Sequence, residues 1–304
     1  MIRAPKGTLA YWNEWVFYGE ERIYFMQENL KKTDGEPSYE PLYAFQLAQK
    51  NWHQMFYRYS RGDEISEFSQ YFPPLLDAWE ESERLGRDVF TEQQQYTRHA
   101  WKVNLDHYIV CFWLVGLALA LDIPDEQWQR LLALIGHEGE DALLDRVIAS
   151  RQQGRKIGKA LCHPKPYQRL LNAIDAPVEQ QPCLLAEFVE NWYRELDRPA
   201  KLGNAPATAM YERPYWYTYG DKNFEGGAYF GRWCVEAVAV VKAFGLDDSL
   251  CLGHEHYPSD LLRPDWPSTH LARFDAEEQS EAFSPTTTTT TTTAKNWFKK
   301  LLGW

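Results

Sequence analysis

Few residues in this chain combine the type and spacing that chemistry demands. His254-Glu255-His256, with His270 further on, is the nearest approach to a metal-ligand set. Zinc takes three or four such ligands converging in a tetrahedron, whereas these histidines sit in a stretch that reads as a solvated loop. Cys162-His163 places a thiol next to an imidazole. Adjacent residues seldom bring nucleophile and base together, and Pro164 forces extended backbone on His163. The elbow G-x-S-x-G, the phosphate loop G-x-x-x-x-G-K-S/T and the zincin H-E-x-x-H are absent. The expectation is no catalytic residue, no metal and no cofactor. A metal enzyme built on His254 and His256 is the lesser alternative.

Carboxylates are the more abundant resource. Asp and Glu number 43 against 32 Lys and Arg, giving a formal net charge of −11. That balance repels nucleic-acid phosphate and anionic lipid and suits a basic protein partner. One acidic group comprises Asp63, Glu64, Glu67, Asp77, Glu80, Glu81, Glu83, Asp88 and Glu92, opposed nearby in sequence only by Arg84 and Arg87. Glu138, Glu140, Asp141 and Asp145 form a second. Solvated helix faces and caps account for single members. Taken as a patch, Glu64, Glu67, Glu138, Glu140, Asp141 and Asp145 are the candidate partner-binding residues, able to compete with nucleic acid for a basic surface.

The elements that must carry these residues read as helices. Leu42 to Tyr59 repeats apolar residues at spacings of three and four, with Pro41 in its first turn. Gly62 ends it in a left-handed turn, and Asp63 caps a second helix from Glu64 to Leu85, interrupted or restarted at Pro73-Pro74. Gln94 to Leu121 is the core candidate, polar at first and then apolar all round. Asp125 caps a helix through Ile135; Asp141–Ser150, Lys165–Ile174, Pro182–Leu196 and Phe230–Phe244 add four more, the last closed by Gly245. The predicted fold is all-α, a compact multi-helix bundle with a disordered C-terminal tail. The tail contains the Thr286–Thr293 tract and the cationic amphipathic segment AKNWFKKLLGW. Ile109 to Leu121, the most apolar run, is shorter than the roughly 20 residues a bilayer span needs, so no stable membrane insertion is expected. No secretory signal is visible, and five Cys without a CxxC pair suit a reducing cytoplasm.

Several stretches, taken in order, resemble the PoNi family of immunity proteins. They are YSRGDEI (59–65), ALLDRVIASR (142–151), HPKPYQRLLNAI (163–174), FVENWYREL (188–196), YFGRWCVEAVAVVKAFGLDDSL (229–250) and HYPSDLLRP (256–264). The resemblance covers residues 40 to 264 and leaves out most of the chain before Pro37 and the tail from Thr286. It implies a helical, cytoplasmic, non-enzymatic protein whose partner is a cognate DNase toxin of the PoNe type, delivered between bacteria by a secretion system and blocked by binding. Within these motifs Arg61, Gly62, Asp63, Gly231, Trp233 and Glu236 read as structural. Trp233, Ala237 and Val241 share a helical face; Glu236 is half-buried, with Arg232 and Lys242 as candidate partners. The expected organisation is an N-terminal extension (1–36), two helical parts packed together (37–152 and 153–264), and a linker with its short tail (265–304). A membrane-associated or other helical adaptor using the terminal segment is the alternative function.

Overall fold

Residues 1–32, 35–197 and 214–273 are described by the computed structural model of this chain. The Thr tract, the terminal amphipathic segment and residues 198–213 lie outside them. Every long element is a helix, and its start or stop is chemically marked. The first, α1 (Leu9–Leu30), begins where Thr8 accepts a hydrogen bond from the Tyr11 amide. It buries Tyr11, Trp12, Val16 and Met26, so these N-terminal side chains are part of the core. Helix α2 (Glu40–Arg61) starts with Pro41 in its first turn and stops at left-handed Gly62.

After Gly62 the chain takes a 3-10 turn over Ile65–Tyr71, and α3 (Phe72–Gly86) begins only where Pro73 and Pro74 can occupy a first turn that needs no donors. The helix predicted over 94–121 is two. Helix α4 (Glu92–His99) opens with a Thr91–Gln94 capping box, and α5 (Leu105–Ala120) opens at Asn104. Asn104 decides the break: its oxygen accepts from the His107 amide at 3.0 Å while its nitrogen donates to the Arg98 carbonyl at 2.9 Å. One side chain thus satisfies the end of one helix and the start of the next.

Then come α6 (Asp125–Ile135), α7 (Leu144–Ala149), α8 (Pro164–Asp175), α9 (Gln181–Glu195), α10 (Trp216–Lys222) and α11 (Val235–Phe244). The described residues form no strand, only an isolated bridge between Ile2 and Arg273, so the architecture is all-α. Helix α2 packs against α1 and α3, α3 also meets α6, α8 lies on α9, and α5 lies on α11. Helix α5 is buried at every position from Leu105 to Leu119 except Asp106, as a helix apolar all round must be. Its partner α11 comes from the other half of the sequence, so Met1–Arg273 is one unit with a shared core.

Candidate functional site

The histidines and cysteines with chemical potential go to separate partners. His254 pairs with Glu190 at 3.1 Å, His256 donates to the Arg232 carbonyl, and His270 hydrogen-bonds the Tyr59 hydroxyl at 2.8 Å. Among the described residues no three His, Cys, Asp or Glu side chains are grouped to hold a metal ion. His163 is buried and donates to the Trp101 carbonyl at 2.6 Å, while the Cys162 thiol faces the Glu140 carbonyl. Burial and the neighbouring Asp141 carboxylate push that thiol up, away from the thiolate a nucleophile requires.

The Arg61-Gly62-Asp63 motif builds a corner. Gly62 sits at φ 105°, and a Cβ there would lie 1.8 Å from the Met1 carbonyl oxygen. Asp63 does not cap the next helix as expected. Its carboxylate instead takes Arg58 at 2.7 Å and Arg61 at 2.6 Å. Partial burial raises its carboxyl, and the two guanidiniums outweigh that and hold it below the ordinary range. Arg3 ties in both ends of the fold, donating to Asp260 at 2.6 Å and to the Asp63 carbonyl at 2.7 Å. Arg58 also reaches Glu67 at 2.9 Å, leaving Glu64 and Glu67 on an exposed shoulder beside the corner.

Two of the six expected contact residues are not on the surface. Asp141 and Asp145 are fully buried. Asp141 accepts from the Tyr108 hydroxyl and from the amides of Leu143, Leu144 and Cys162, at 2.7–3.0 Å. Asp145 accepts from the amides of Gly139, Asp141 and Gly158 and pairs with Arg155 at 2.8 Å. The stretch between α6 and α8 is mostly irregular, so its buried amides lack helical acceptors, and these carboxylates supply them. What they position is a second shoulder. Glu138 is exposed and accepts from the Lys156 amide; Glu140 is partly exposed between His137 and Lys102. Of the anticipated patch, Glu64, Glu67, Glu138 and Glu140 reach the surface and Asp141 and Asp145 lie inside.

Other acids of the first group are neutralised from a distance. Arg130 of α6 takes Asp77 at 2.6 Å and Glu80 at 2.7 Å. Sequence reasoning missed Arg130 and Arg155, because nothing local to either arginine marks the carboxylate it reaches.

Two family models match the chain in tandem. "PoNe immunity protein (PoNi), N-terminal" covers residues 3–133, and "PoNe immunity proteins (PoNi), C-terminal" covers residues 139–261. The chain belongs to the PoNe immunity protein family. No curated protein matches it. Protein PA2201 from Pseudomonas aeruginosa, known from a crystal structure, is similar to it with a TM-score of 0.62 and 20% sequence identity. The similarity covers 86% of this chain and 90% of that one, and shows a shared fold. Because the family match begins at residue 3, α1 lies within the PoNi region, contrary to the expectation that most of the chain before Pro37 lay outside the resemblance.

The remaining motif residues of this PoNi chain are internal. Glu236 is fully buried, not half-buried. Its partners are the Trp113 and Trp192 indoles at 3.3 and 3.2 Å and the Tyr167 hydroxyl at 3.0 Å. Arg232 pairs instead with Asp221 and lies over the Tyr193 ring, and Lys242 is exposed. Burial lifts the Glu236 carboxyl to about 7 against the pull of its three donors. Trp233 precedes α11 and so does not share a helical face with Ala237 and Val241. Its indole donates to Ser60, which donates to the Phe230 carbonyl. Gly231, at φ 100°, lies too close to that indole for any side chain.

Proposed function

We propose that this PoNi chain is an immunity protein that binds and neutralises a cognate DNase toxin of the PoNe type in the cytoplasm, without catalysis of its own. The tandem family match over residues 3–133 and 139–261 carries the reading. The net charge of −11 supports it, because a nuclease presents cationic side chains to DNA phosphates and an acidic protein complements them. Glu64, Glu67, Glu138 and Glu140 are the proposed steering charges, with Asp141 and Asp145 acting beneath them as supports.

Co-expression with the nuclease encoded beside this gene tests the reading. Cells should survive, and purified protein in molar excess should abolish DNA cleavage. Reversing these four glutamates to Lys should slow association and weaken its salt dependence. A nuclease left fully active by excess protein would end the proposal.

A further inference from the structure

Helix α1 has two apolar faces, and only one is covered. Its inner face carries Trp12, Val16 and Met26 into the core. On the opposite side Phe17, Tyr18, Tyr24 and Phe25 are 60%, 50%, 67% and 51% exposed. At 3.6 residues per turn these four fall on one arc, with Glu14, Glu21 and Glu28 interleaved and Glu20 at its edge. Single exposed hydrophobics are ordinary on protein surfaces. Four aromatic rings gathered between positions 17 and 25 of one helix are a patch, and an aromatic centre with a charged rim is the anatomy of a protein interface.

We propose that this outer face of α1 is the apolar anchor of the toxin-docking surface, occupied by a basic protein; the assignment of that protein as the DNase rests on the function proposed above. Charge selects the occupant. Helix α1 carries four carboxylates, of which Glu28 pairs with Lys31 at the helix end, and a single cation, Arg22, which lies over the Phe25 ring at 5.4 Å. Two copies of this chain meeting here would bring like charges together, and an anionic lipid surface would be repelled. A cationic partner gains from the rim while its apolar side chains cover the rings.

The face is continuous with the acidic shoulder at the end of α2. Asn13, on the same arc, accepts from Arg61 at 3.2 Å. Arg58, the partner of Glu67, donates to the Tyr71 hydroxyl at 3.1 Å. The anchor therefore adjoins the shoulder that carries Glu64 and Glu67.

The test compares full-length wild type with Phe17→Ala/Tyr24→Ala/Phe25→Ala and with Trp266→Ala, a control at an exposed aromatic elsewhere (72% exposed). Affinity for the purified nuclease encoded beside this gene is measured, together with thermal melting and solution mass. The triple variant should melt like wild type and bind on the order of a hundredfold more weakly, mainly through faster dissociation; the control should bind normally. If the triple variant melts early, Tyr24→Ala alone takes its place and should still weaken binding. Unchanged affinity in a folded variant, with wild type still neutralising the nuclease, would overturn the inference and leave the function standing. Failure of wild type to bind would remove both. A wild-type dimer that the triple variant dissociates would reassign the face to self-association.

Discussion

Glu236 shows how a single buried carboxylate can organise a core without a cationic partner. It lies in α11 between Trp113 of α5, Tyr167 of α8 and Trp192 of α9, so one side chain joins four helices. Replacing it with Leu would leave three buried donors unanswered, and at about 1–3 kcal/mol for each orphaned group that change should unfold or severely destabilise the protein. The conservative change separates charge from hydrogen bonding. A glutamate in the unfolded chain titrates at about 4.3, whereas the folded group titrates at about 7. Across that window the native state keeps a proton that the unfolded chain has released, so raising the pH lowers stability, by at most about 1.4 kcal/mol per unit. Above the folded value both states are ionised and the effect levels off. Denaturant melts of wild type and Glu236→Gln should therefore diverge with pH between those two values. Parallel curves would mean that Glu236 is ionised throughout.

At the scale of elements, α2 ends as the positive φ of Gly62 dictates, and that glycine answers two separate demands. A side chain there meets both a left-handed backbone and the Met1 carbonyl, whereas Gly245, at φ 68° after α11, has nothing within 4 Å of where a Cβ would stand. Gly245→Ala should cost about 1 kcal/mol, the conformational penalty alone, and Gly62→Ala clearly more, since the N-terminal segment must also shift. Equal losses in chemical denaturation would show that Met1 yields freely. These boundaries were legible because Gly and Pro act locally and a 3.6-residue apolar repeat marks a helix with one wet face. Helices α2, α6, α8 and α9 met that condition. Helix α1 did not: rings on both its sides erase the contrast on which periodicity depends, so the candidate anchor went unread. The acidic site failed for the opposite reason. Asp141 and Asp145 look like any surface acids until the irregular chain around them is seen to need acceptors, and the arginine that answers Asp145 lies in a later loop.

For the whole molecule, the decisive feature is that Met1–Arg273 closes on itself. The Ile2 amide donates to the Arg273 carbonyl at 3.3 Å, and the Arg273 guanidinium returns to the Ala4 and Gly7 carbonyls. The helices, both acidic shoulders and the outer face of α1 all lie within that unit, and the family match ends at residue 261. Deleting Thr286–Trp304 removes none of these groups. It does remove Lys295, Lys299 and Lys300 and no acidic residue, so the remaining chain is more negative than before. If charge steers a basic toxin to this surface, the shortened protein should associate at least as fast as the full chain, most visibly at low salt. Its melting temperature and its protection of cells expressing the nuclease should match those of wild type. A truncated protein that folds and accumulates normally yet no longer protects would place part of the binding site in the tail, and the surface assembled from α1 and the end of α2 would then be only a portion of the interface.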